Sequence, residues 1–158
     1  MVTLDKIQEF FFRAMLQGWV ADAPRIDMPR MPGYKASFFE EGSFYLLDCW
    51  CNLPSGKSSG TTNIFHKDVP VWVMTYGGYY QRNVSAFVKE ALQAAYQEQE
   101  FFGGRGPLRY EKREKYPFSY RNNPSMGGLF ERFFGKEIVY DLESRVVGYH
   151  TYHGMSLL

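Results

Sequence analysis

Apolar residues recur at helical spacing near the start of the chain, where Leu4, Ile7, Phe10, Phe11, Ala14 and Met15 form one stripe within residues 3–17. Gly18 stands where that helix would end. A second stripe follows Asn83, a residue suited to an N-cap. Val84, Phe87, Val88, Ala91, Leu92, Ala95 and Tyr96 share its apolar face, with Lys89, Glu90, Gln93 and Gln97 opposite. Elsewhere the period drops to two. Residues 34–40 and 43–51 read as strands joined by a turn at Glu40-Glu41-Gly42, and 69–76 reads as the clearest strand. Residues 137–141 and 145–153 read as a closing hairpin across Leu142-Glu143-Ser144. The Pro-rich stretch 22–33 and the Ser- and Gly-rich stretch 52–63 read as loops, the second mobile by composition. Gly103, Gly104, Gly106 and Pro107 end the second helix; residues 108–125 give no clear element, and 130–134 fit a helical turn or a strand start.

Short strands, tight turns and two interrupting helices predict an α+β fold with an antiparallel sheet, as a single domain over residues 1–158. Two segments add a possible internal pseudo-duplication. Val71-Trp72-Val73-Met74-Thr75-Tyr76-Gly77-Gly78 and Val147-Gly148-Tyr149-His150-Thr151-Tyr152-His153-Gly154 align without a gap, sharing Val, Thr, Tyr and the final Gly. Each reads as a strand that stops at glycine, and together they suggest two halves sharing one sheet.

Composition narrows the function classes. The 158 residues suffice for a real core, and aromatics make up 18% of them. Most of these rings are expected in the core, with Tyr and Trp also suited to a ligand cleft. A net charge of +1, from 18 basic and 17 acidic residues, lacks the basic excess of a nucleic-acid or membrane-surface binder. No run approaches the ~18 apolar residues that cross a bilayer. Asp5 sits where a secretory leader would carry a basic start, so a cytoplasmic location is expected. Cys49 and Cys51 would lie about 6.5–7 Å apart on one strand face, at or beyond disulfide reach, and are read as free thiols. No metal-binding spacing is present, so no metal or cofactor is expected.

Candidate chemistry centres on five residues. Asp48 shares a strand face with Phe44, Leu46 and Trp50, an acid among apolar neighbours and hence a candidate for a raised pKa. The plainer reading is an Asp that accepts backbone hydrogen bonds or pairs with an arginine. Arg105, beside Gly103, Gly104 and Gly106, could grip an anion, although no phosphate-loop spacing is completed. Its plainer roles are to cap the second helix or to pair with Asp48 or Glu137. Trp72 and Tyr76 would share a face with Met74 between them, forming a core layer or a cleft wall. His150 and His153 would lie on opposite strand faces, unable to bind one metal together. From Arg105 to Arg121, six basic residues interleave with Tyr110, Tyr116, Phe118 and Tyr120. That strip suits single-stranded nucleic acid or, more simply, a solvated loop whose rings anchor it to the core.

Several motifs in order resemble a family of small bacterial proteins carrying a domain of unknown function. They are the aromatic strand 45–50 with Asp48, the run Pro70-Val71-Trp72-Val73-Met74-Thr75-Tyr76-Gly77, Arg105-Gly106-Pro107, Phe133-Phe134-Gly135-Lys136-Glu137, and Tyr152-His153-Gly154. The resemblance covers most of the chain from about residue 34. Relatives carry a further Phe-x-Gly-x-Glu before the Trp strand, where this chain reads Ile64-Phe65-His66-Lys67-Asp68. Fusion of some relatives to helix-turn-helix domains implies a sensing or ligand-binding role.

The expectation is therefore a non-catalytic domain that binds a small molecule or a protein partner. Asp48, Trp72, Tyr76, Arg105 and Glu137 would stand at or near its site. The alternative is a small hydrolase or isomerase using Asp48 and Glu137 as an acid/base pair. A homodimer is a further expectation, because exposed aromatic patches mark interfaces; nucleic acid and membrane are not expected partners.

Overall fold

A computed structural model describes residues 1–125 and 129–158. Helix α1 (Leu4–Leu16) starts at Thr3, whose side chain accepts from the Lys6 amide, and strands β1 (Ile26–Asp27), β2 (Tyr34–Glu41), β3 (Phe44–Asn52), β4 (Lys57–His66) and β5 (Val69–Tyr80) follow. Helix α2 (Ser85–Glu98) then leads into β6 (Arg109–Glu111), β7 (Phe118–Pro124), β8 (Arg132–Asp141) and β9 (Val146–Ser156). The nine strands form one antiparallel sheet in the order β1-β2-β3-β4-β5-β9-β8-β7-β6. This is the expected α+β architecture. Both helices cover the same face. Phe10 and Phe11 of α1 meet Phe39, Phe44 and Trp72, and Phe87 of α2 meets Tyr110 and Phe118. None of the helices described is long and apolar enough to cross a membrane.

The strand order carries the duplication. Helix α1 with β2–β5 and α2 with β6–β9 repeat one pattern, and the halves meet where Tyr76 pairs with Tyr152 at the centre of the sheet. Each tyrosine lies across a glycine of the next strand, Tyr76 over Gly60 and Tyr152 over Gly135. Each hydroxyl then reaches the strand beyond, to Asp48 and to Asn122. Asp48 and Asn122 are therefore equivalent positions, as are Thr62 and Glu137.

Several expectations change. The stretch 52–63 is mostly strand β4, with only a short turn at 53–56. Its inward side chains are small or polar: Gly60 lies beneath the Tyr76 ring of β5, Ser58 borders open space and Thr62 bonds to Asp48, so composition disguises a strand as a loop. The equivalent of Phe133-Phe134-Gly135-Lys136-Glu137 is consequently Ser58-Ser59-Gly60-Thr61-Thr62, with its glycine kept, rather than residues 64–68. Strands β5 and β9 do not stop at glycine but run through Gly77, Gly78 and Gly154. Asn83 caps nothing: it lies in a short 3₁₀ turn before α2 and is exposed. The unassigned stretch 108–125 supplies β6 and β7, and residues 132–134 begin β8.

A Cβ on Gly60 would stand 2.6 Å from the Tyr76 ring and 2.8 Å from the Cys49 carbonyl oxygen. Gly60→Ala should thus lower unfolding free energy by roughly 1–3 kcal/mol in urea titrations, an overpacking cost, with Gly135→Ala similar and exposed Ser59→Ala near neutral. An unchanged midpoint for Gly60→Ala would contradict this packing.

Candidate functional site

Between the helices and the sheet lies a cavity of about 240 Å³. Its floor comes from Asp48 and Trp50 of β3, Ser58 of β4, Tyr76 and Tyr80 of β5, and His150 of β9. Leu92 and Tyr96 of α2 and Met15, Trp19 and Val20 at the end of α1 cover it, and the 53–56 turn and Arg82 edge it. Arg105 enters from the loop after α2.

That loop lies directly on the sheet. Gly104 adopts φ +70° and sits on the ring of Tyr152, where a Cβ would come within 2.6 Å. The glycines near Arg105 thus press backbone against rings, rather than cradling an anion. Asn122 ties the loop down by donating from Nδ2 to the carbonyls of Gly103 (2.7 Å) and Gly106 (3.2 Å).

Arg105 is almost wholly buried, and Glu137 is 0% exposed. Nε and Nη2 of Arg105 donate to the two carboxylate oxygens of Glu137 at 2.9 and 3.2 Å, a bidentate pair. The Tyr80 hydroxyl donates to Glu137 Oε2 at 3.2 Å. The guanidinium also lies over the Tyr76 ring, 4.7 Å from its centroid. Nη2 further donates to His150 Nδ1 at 2.7 Å. Because arginine only donates, His150 Nδ1 must accept, so the imidazole proton resides on Nε2 and donates to Ser58 Oγ at 2.8 Å. Burial and the adjacent Arg105 charge push the His150 pKa well down, keeping the ring neutral. The Ser58 hydroxyl proton is left free to turn toward the cavity.

Asp48 Oδ1 accepts from Thr62 Oγ1 at 2.8 Å and from Tyr76 Oη at 2.9 Å. Its Oδ2 has no partner among the described residues. Burial raises the Asp48 pKa, against the opposing pull of Thr62, Tyr76 and Arg105. The Tyr96 hydroxyl, 1% exposed, is likewise unpartnered, and burial holds its pKa far above the ordinary value. Two buried side-chain polar atoms lack a partner among the described residues, the hydroxyl of Tyr96, which lines the cavity, and that of Tyr120, which does not; each costs about 1–3 kcal/mol.

Of the five expected site residues, Asp48, Tyr76 and Arg105 line the cavity together. Glu137 stands behind Arg105, out of reach of the cavity. Trp72 is placed elsewhere: it is fully buried at the far end of the core, donates to the Phe130 carbonyl at 3.0 Å and stacks on Phe130 and Phe133. Sequence reasoning passed over Trp19, Ser58, Tyr80, Tyr96 and His150. A signal existed for His150, which precedes Tyr152 by two and so shares its face; Tyr96 looked like any other member of an apolar helix stripe. In the basic strip, Phe118 and Tyr120 are buried, and Lys112 and Lys115 pair with Glu90.

A duplicated helix-and-sheet domain enclosing an aromatic cavity is the class these features define. The chain belongs to the family described as "Domain of unknown function (DUF5680)", whose model matches residues 55–157. The match begins later than the resemblance suggested, so Tyr76, Arg105, Glu137 and His150 fall within it and Asp48 outside. No curated protein matches the chain. No solved structure matches it either.

The raised Asp48 pKa sets a pH dependence. A carboxyl whose folded-state pKa lies above its unfolded value contributes stability that is whole below the unfolded pKa and lost as pH rises through the folded one. Asp48→Asn keeps the acceptor for Thr62 and Tyr76 and cannot ionise. Urea denaturation should find the variant equal to the parent near pH 4 and more stable at about pH 7–8. A parent more stable at neutral pH would show that Asp48 is stabilised as an anion in the empty cavity.

Proposed function

We propose that this domain binds a compact small molecule in the cavity and performs no chemistry on it. The observation that carries the reading is the pairing of aromatic walls with polar side chains left short of partners: Asp48, with Oδ2 unpartnered among the described residues, Ser58, with its hydroxyl proton free, and Tyr96, with its buried hydroxyl unpartnered, line the same space. Trp19, Trp50, Tyr76, Tyr80 and Tyr96 supply stacking surface, and Asp48 and Arg105 orient the polar end. The resemblance to bacterial proteins, some fused to helix-turn-helix domains, fits a sensing module, and two free cysteines fit a reducing cytoplasm.

The catalytic alternative has less support for two reasons of chemistry. Glu137 has both carboxylate oxygens engaged by Arg105 and one also by Tyr80, so it offers Asp48 no free acid/base partner. Ser58 and His150 resemble a nucleophile and its base, but the third group is an arginine. A general base needs Nδ1–H held by an acceptor and Nε2 free to take the serine proton. Arg105 enforces the opposite tautomer.

Two of the three tryptophans line the cavity and Trp72 does not. A ligand found by thermal-shift screening, present at about one hundred times its Kd, should add roughly 2.7 kcal/mol of stability. It should also change tryptophan emission in the parent and leave the Trp19→Phe/Trp50→Phe variant, which keeps only Trp72, unaltered. A ligand that stabilises the parent and perturbs Trp72 alone would place binding elsewhere.

A further inference from the structure

We infer that the cavity's occupant is an organic cation, a protonated amine or amidine on a flat apolar body, seated with its N–H groups on Asp48 Oδ2. The inference rests on the binding role proposed above and goes on to fix the charge of the ligand.

The duplicated fold supplies the first argument, since each half shows what the other has replaced. At the Asn122 position every polar atom is satisfied: Oδ1 accepts from Tyr152 Oη, and Nδ2 donates to the carbonyls of Gly103 and Gly106. The 103–106 loop fills the space above it. At the equivalent Asp48 position the tyrosine bond is kept, through Tyr76, but open cavity takes the place of the loop. The side chain has also changed sense. An amide donates to carbonyls, whereas a carboxylate can only accept, and Oδ2 has nothing to accept from among the described residues. Whatever fills the space must bring donors.

Charge is the second argument. Acids and bases that could carry charge in this part of the interior are Asp48, Arg105, Glu137 and His150. Arg105 and Glu137 neutralise each other through two hydrogen bonds, and His150 is held neutral by its tautomer. The tyrosine hydroxyls of Tyr76, Tyr80 and Tyr96 stay protonated, because burial raises each of their pKa values. Asp48 alone is left without a counter-charge, and a buried carboxylate calls for one. A cation that seats on Oδ2 brings the interior to neutrality. Arg82 also edges the cavity, but it is exposed at the mouth and bonded to the Pro54 carbonyl, where water screens it. The remaining lining is rich in rings, whose faces favour a cation over an anion.

Three probes of matched shape separate the possibilities: phenethylamine, 2-phenylethanol and 3-phenylpropanoate, titrated calorimetrically at neutral pH into the parent protein and Asp48→Asn. The second half of the fold already carries Asn at this position, so the variant is expected to fold, which circular dichroism checks. The amine should bind the parent about tenfold or more tighter than the alcohol, with the acid weakest, and Asp48→Asn should level the amine with the alcohol. Equal or tighter binding of the alcohol or the acid to the parent overturns the cation assignment and leaves the binding role standing. An amine preference that survives in Asp48→Asn overturns the placement on Asp48. If none of the three binds, a ligand screen decides: a neutral or anionic ligand in the cavity removes the cation assignment alone, and no ligand at all removes the binding role with it.

Discussion

The guanidinium of Arg105 lies in the interior of the protein with Glu137 as its counter-ion, and the arrangement of the site follows from that pair. A buried arginine stripped of its carboxylate would cost roughly 3–5 kcal/mol, so the two side chains hold each other in place. Through its backbone, Arg105 fixes the loop that Gly104 and Asn122 press against Tyr152. Its Nη2 dictates the tautomer of His150, which in turn sets the direction of the Ser58 hydroxyl. Its flat face covers the ring of Tyr76, whose hydroxyl meets Asp48. A chain of contacts therefore runs from one ion pair on β8 to a carboxylate on β3, and the cavity lies alongside it.

The two halves of the fold use the same frame to opposite ends. In both, a central tyrosine lies across a glycine of the neighbouring strand and bonds to a polar side chain on the next. The second half closes over that side chain with its own loop, and every bond of Asn122 is made. In the first half the segment after α1 is longer and richer in proline, and Trp19 and Val20 cover the space without filling it. The site is thus the half of the duplication left open, and Asp48, whose Oδ2 has no partner among the described residues, lies there. Natural proteins give up stability at such places when a ligand supplies what the chain does not.

Much of the frame was legible in the sequence. Helical stripes at Leu4–Met15 and Val84–Tyr96 and the hairpin at Leu142–Ser144 are local signals, and local physics decides them. The repeat in Thr75-Tyr76 and Thr151-Tyr152 pointed to the central strand pair. Strand β4 was hidden because Gly60 must leave room for the Tyr76 ring while Ser58 and Thr62 serve polar contacts, which is information about tertiary packing. Asp48, Tyr76 and Arg105 were recognisable as polar or amphipathic residues in apolar settings. Trp72 was not separable from them, since a ring on the inward face of β5 faces either core or cavity depending on which helix lies above it. His150 acquires its significance only from Arg105, many residues distant in sequence and adjacent in space.

Arg105 imposes a neutral, Nε2-protonated imidazole on His150. The ring nitrogen resonances of the folded protein report that state directly by ¹⁵N NMR. Between about pH 8 and pH 5 they should show one tautomer, protonated at Nε2, with no sign of titration. An imidazolium forming near the ordinary value of about 6.5, or a proton resident on Nδ1, would contradict the arrangement from which the site was built.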